Sequence, residues 1–172
     1  WDHLAFVTCL VILAGTRRRI LLMVTGFTLG HALTITAASL GYVGLASAPV
    51  EATIALSIMI LAREILRDDQ QTLAWRYPVA VASVFGLLHG FGFAGALAEI
   101  GLPRSELGLG LLAFNLGIEV GQLVFIACLV AFATVLKRRW SADISGLCRG
   151  LATGIGIIAA FWLLSRLPGV VA

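Results

Sequence analysis

About six apolar runs of near membrane length, joined by short loops that hold most of the charge, leave this chain few ways to fold. Hydrocarbon offers a peptide group no hydrogen-bond partner, so a segment crossing it must satisfy its own backbone, and a helix does so within one segment. With 60% hydrophobic and 12% charged residues in 172, the chain has more apolar surface than a soluble domain of this size can hide. The expected fold is all-α: a polytopic transmembrane helical bundle, with residues 1–172 as one domain. The net charge of +3 does not indicate a nucleic-acid partner. Its basic residues lie in loops between apolar runs, which is a topology signal, and the lipid bilayer is the partner it implies.

Leu4 to Gly15 is apolar but falls short of the roughly 20 residues of a span. The chain begins at Trp1 inside this pattern, as expected of a fragment or processed product with any signal peptide out of view. Residues upstream of Trp1 would complete this first helix, of six spans here or seven in the full protein, and would place Asp2 and His3 within the membrane. Thr16-Arg17-Arg18-Arg19 is a basic loop, and Ile20 to Leu40 is the second span, with Thr25, Thr28 and His31 at every third residue. Gly26 and Gly30 form a small-xxx-small pair suited to close helix contact. Val50 to Leu66 is the third span, opening at Glu51 and closing on Arg63-Glu64. Pro78 marks the start of the fourth, Val79 to Ile100, which holds His89. Leu102 to Glu106 is a turn. Leu107 to Leu136 is the fifth span, Lys137 to Arg149 a polar loop, and Leu151 to Leu167 the sixth span. Cys9, Cys128 and Cys148 are widely spaced, and those in apolar runs read as small core residues rather than disulfide or zinc partners.

The loops after the first, third and fifth spans carry Arg17, Arg18, Arg19, Arg67, Arg76, Lys137, Arg138, Arg139 and Arg149, against Arg104 and Arg166 on the other side. The positive-inside rule makes the first set cytoplasmic and turns both ends of the chain outward, in a bacterial inner membrane.

At about 1.5 Å of rise per residue, His31 lies about 16 Å into its span, His89 about 15 Å, and His3, counted back from Gly15, about 18 Å. Glu119 descends about 18 Å from the opposite face. Polar groups of four runs therefore reach one slab near the bilayer midplane. Asn115, Glu119 and Gln122 stand at i, i+4 and i+7, a single helix face. All three histidines belong to apolar runs, where an unpartnered ring is poorly solvated. Interhelical bonding would account for any one of these groups; their number at a single level points to a site. Thr25, Thr28 and Ser57 are expected to bond back to their own helices, and the glycines beside His89 to serve packing. Glu51, Glu99 and Glu106 read as solvated near the outer surface, and Arg63 as snorkelling to the inner one.

Imidazole with carboxylate and amide suits a divalent transition metal such as Ni²⁺, Co²⁺ or Zn²⁺, bound as substrate or ligand. The same groups would serve an ion permease or, alternatively, an intramembrane zinc-dependent hydrolase, and residue types leave both open. The metal, the oligomeric state and the driving force stay undetermined at this level. No nucleotide-binding motif occurs, so coupling to ATP would need a partner.

Several stretches resemble the HupE/UreJ group of membrane proteins. They are D-H-L-x-F at Asp2 to Phe6, F-T-L-x-H at Phe27 to His31, E-x-x-I-A-L-S-I at Glu51 to Ile58, F-G-L-L-H-G-F-G-F-A at Phe85 to Ala94, and F-N-L-G-I-E-x-G-Q at Phe114 to Gln122. They cover the first five spans in order, while the sixth carries no signature. The resemblance implies a nickel or cobalt permease rather than an enzyme, and a metal site at Asp2, His3, His31, His89, Asn115 and Glu119. A further histidine usual in that family would precede Trp1.

Overall fold

The computed structural model describes residues 1–100, 106–140 and 143–171, without the side chains of residues 96, 98–100, 140 and 171. The expected turn at 102–105 and the Glu99 side chain lie outside the described residues. Among those described there are seven helices and no strand: α1 (Asp2–Ala14), α2 (Arg17–Ser39), α3 (Ser47–Arg67), α4 (Leu73–Arg76), α5 (Pro78–Ile100), α6 (Leu107–Trp140) and α7 (Ile144–Val171).

Local chemistry explains the boundaries. Gly15 ends α1 in the left-handed region at φ 67°, where a Cβ would be strained. Thr16 then caps α2 by accepting from the Arg19 backbone N–H at 3.4 Å, so α2 starts three residues before its apolar run does. Asp68, a residue type that tolerates φ of 51°, closes α3. Pro78 opens α5, where its missing N–H costs no helical hydrogen bond. The one-turn helix α4 was not legible in the sequence, and α7 begins well before Leu151 and continues through Pro168.

By length and composition α2, α5, α6 and α7 are able to cross a membrane. The other two expected spans differ for separate reasons. The apolar helix α1 has only 13 residues, and α3 carries Glu51, Arg63, Glu64 and Arg67 along its 21. Both are wrapped by protein: Phe6, Cys9, Leu10 and Leu13 of α1 and Ile54, Ile58, Leu61 and Ala62 of α3 are buried together with Met23 and Phe27 of α2. By contrast, Leu109, Leu112, Leu116, Val120 and Val124 make one exposed ridge along α6, as suits lipid contact. Lipid tails are as apolar as leucine, so burial of such side chains gives little drive for helix association. Close backbone packing and polar contacts must hold the helices together.

Candidate metal centre

Parallel helices α2 and α5 touch backbone to backbone. A Cβ added at Gly26 would stand 2.7 Å from Ser83 Oγ, and one at Gly30 would strike the Ser83 carbonyl. On the facing helix a Cβ at Gly86 would meet the Phe27 carbonyl, and one at Gly90 would lie 2.5 Å from the His31 carbonyl. These glycines therefore do serve packing, and they bring His31 and His89 towards each other on neighbouring helices. Neither ring has more than 1% exposure. His3 comes in from α1, its ring centroid 6.3 Å from that of His31 and 6.1 Å from that of His89.

Aromatic rings surround the three imidazoles. Phe27 lies 5.1 Å from both His3 and His89, Phe6 lies 4.6 Å from His89, and Phe93 lies 5.2 Å from His31. Such a shell lowers the local dielectric and limits water, which strengthens any ligand bond formed inside it.

Each ring is held on one nitrogen by a neutral side chain. The Asn115 amide nitrogen donates to the Leu111 carbonyl at 2.8 Å, so its oxygen faces His31 and accepts from Nδ1 at 3.3 Å. His31 then carries its proton on Nδ1 and its lone pair on Nε2. Ser57 spends its one proton on the Ile54 carbonyl at 2.6 Å, so it accepts from His89 Nε2 at 3.3 Å and leaves the lone pair on Nδ1. Gln122 donates its amide nitrogen to His3 Nε2 at 2.7 Å while accepting from the Thr28 hydroxyl at 2.9 Å. Because that hydroxyl can donate or accept, a half-turn of the Gln122 amide exchanges the roles and moves the His3 lone pair to Nδ1.

Helix α6 supplies the fourth side of the centre. Glu119 accepts from the Thr25 hydroxyl at 3.1 Å through Oε1. Its Oε2, His3 Nδ1 and His31 Nε2 are all buried without a hydrogen-bond partner. An unsatisfied buried polar atom costs about 1–3 kcal/mol, so three of them on packed helices call for an explanation. Among the described residues, no three His, Cys, Asp or Glu side chains stand close enough to hold one ion together.

Several expectations change. Thr25 and Thr28 bond to α6 and not to their own helix, because the face of α6 with Asn115, Glu119 and Gln122 lies against them. Ser57 does bond to its own helix but also holds His89. Asp2 and Glu51 meet at Arg166 of α7, which donates to Asp2 Oδ2 at 3.2 Å and to Glu51 Oε2 at 2.9 Å. Glu51 is thus ion-paired rather than simply solvated, and Asp2 is tied to α7 beside the centre. Arg166 was missed in the sequence. The available signal was a lone cation at the end of an apolar span, which needs a carboxylate partner. Arg63 is exposed as expected and donates to the buried Glu64 at 3.1 Å.

Four helices long and apolar enough to span a membrane, packed with α1 and α3 around a buried histidine-rich centre, define a helical membrane protein. The chain belongs to the HupE/UreJ family: the family profile described as "HupE / UreJ protein" matches residues 1–166, which takes in nearly all of the sixth apolar run. That family is associated with nickel and cobalt transport. No curated protein and no solved structure matches the chain.

Proposed function

We propose that this protein is a permease for a divalent transition metal, Ni²⁺ or Co²⁺, which crosses the membrane through the centre formed by His3, His31, His89 and Glu119. The observation that carries this reading is the set of partnerless ligand atoms, His3 Nδ1, His31 Nε2 and Glu119 Oε2, buried on three different helices. Two imidazoles on one ion, each with a nitrogen about 2.1 Å from it, have centroids roughly 5–6 Å apart. The separations of 6.1 and 6.3 Å seen from His3 are near that range, so modest ring rotations would close the site.

In this reading the histidines and Glu119 replace the hydration shell of the ion. Asn115 and Ser57 act from behind, each accepting from one ring nitrogen so that the other is offered as a lone pair, and Gln122 does the same for His3 once its amide has made the half-turn. Asn115 is therefore a positioning residue for His31 rather than a ligand. Asp2, next to His3, receives the ion from the outer side. The basic helix ends that flank the α1–α2, α3–α5 and α6–α7 connections mark the cytoplasmic end, where the ion is released.

The test is metal uptake into proteoliposomes that contain only this protein. Accumulation of Ni²⁺ or Co²⁺ above empty liposomes is the expected result. No uptake of either metal overturns the proposal, and hydrolysis of a membrane peptide without uptake would favour the intramembrane hydrolase.

A further inference from the structure

Far from the histidines, at the end of the bundle that carries the basic helix ends, a cavity of about 390 Å³ is lined by Arg19, Gln70, Trp75, Arg76 and Tyr77. Arg19 belongs to the first turn of α2, and Arg76 ends α4 just ahead of α5. The glycine contacts midway along α2 and α5 fix the register of the two helices, and with it the positions of their basic ends. Arg63, Arg67 and Arg166 each have a carboxylate in reach, whereas Arg19 and Arg76 have none among the described residues. The nearby loop does contain acids, but Asp69 is engaged by Arg67 at 3.9 Å and by the Gln71 backbone N–H at 3.0 Å. Asp68 is exposed and unpaired among the described residues. Neither α2 nor α5 has an acidic residue in its first turn, so both helix dipoles add positive potential here.

A second, apolar groove of about 340 Å³ shares Tyr77 with this cavity. It starts at Leu73 of α4 and follows α5 through Ala80, Val81, Val84 and Phe85. From Tyr77 to Phe85 it runs about 12 Å along the helix, away from the charged end. A cationic cavity joined to an apolar groove fits an amphipathic anion, with its charge at the membrane boundary and its chain in the hydrocarbon. Trp75 and Tyr77 stand where interfacial aromatic side chains are favoured, and Arg76 lies over the Tyr77 ring with its guanidinium carbon 5.9 Å from the centroid.

We propose that this is a binding site for an anionic phospholipid. Its phosphate would be held between Arg19 and Arg76, and one acyl chain would lie along α5 from Tyr77 to Phe85. Guanidinium groups suit a phosphodiester because they offer it two parallel donors. This inference does not rest on the metal reading; each can fail without the other.

Native mass spectrometry of the detergent-solubilised protein, titrated with phosphatidylglycerol, phosphatidylcholine or inorganic phosphate, tests it. The expected result is retention of about one phosphatidylglycerol, with phosphatidylcholine bound at least about tenfold more weakly. The double variant Arg19→Gln/Arg76→Gln should lose about tenfold or more in phosphatidylglycerol affinity. Arg138→Gln/Arg139→Gln, which removes the same charge elsewhere on the same end, should keep it. Equal losses in the two double variants would mean diffuse attraction and would overturn the site, as would no loss in either. Competition by millimolar inorganic phosphate, with no preference for the lipid, would keep an anion site but overturn the lipid assignment. If the glutamine variant does not fold, Arg19→Lys/Arg76→Lys retains the charge and loses the paired donors. A partial loss of affinity there supports the site, and parental affinity overturns the guanidinium contact.

Discussion

Helix α2 has two very different neighbours. Against α5 it presents glycines, and the two backbones approach closely, with only small side chains beside them. Against α6 it presents His31, Thr28 and Thr25, each hydrogen-bonded to a polar side chain of α6. The first interface depends on shape and cannot yield without moving backbone. The second is a set of bonds of about 0.6 kcal/mol each on average, which can be broken and remade one at a time. His31 and His89 are fixed by the rigid interface, while Glu119 and the partners of His31 and His3 come from the adaptable one. A site that must bind an ion and then release it needs both properties.

The largest effect is expected from breaking the rigid side. Gly90→Val would push a side chain into Thr34 and the His31 carbonyl. Overpacking costs about 1–3 kcal/mol even where side chains can adjust, and here the obstacle is partly backbone. Loss of monodisperse, folded protein in detergent is the expected outcome, and parental thermal stability would show that α2 and α5 separate easily. Next comes the centre itself. His89→Ala should nearly abolish Ni²⁺ or Co²⁺ uptake while costing only about 1 kcal/mol of stability, since a small residue is tolerated on a glycine-rich helix. Glu106→Gln, on an exposed residue at the start of α6, should transport like the parent. Uptake at the parental rate by His89→Ala would remove the centrepiece of the proposal.

Acidification acts on all three rings together. Protons compete with metal for the same lone pairs, so metal bound near neutral pH should be lost as the pH falls to about 5. Retention unchanged over that interval, followed by equilibrium dialysis, would exclude histidine ligation. The smallest change sharpens the adaptable side: Asn115→Leu removes the group that holds His31 Nδ1 and leaves the ring in place. As loss of an orienting partner it should weaken metal binding about 10- to 100-fold with the fold retained. Metal binding abolished outright would instead make Asn115 a direct ligand.

How much of this was legible beforehand differs by residue. Arg17 to Arg19 and Arg138, expected in loops, instead belong to the ends of α2 and α6. The helical membrane fold and the meeting of His3 with His31 and His89 followed from apolar run lengths and a fixed rise per residue. Those are one-dimensional quantities, and a chain carries them in its order. The partners of these groups did not follow. Thr25 and Thr28 had the same local option of bonding to their own helices, and only the side on which α6 packs sent them elsewhere. Asp2 was assigned by depth and motif alone, whereas Arg166, 164 residues away, decides what it touches. Depth along a helix is set by counting residues, but rotation about its axis is set by its neighbours. The sequence determined the level at which the polar groups meet, and the tertiary structure decided which nitrogen of each histidine stays free.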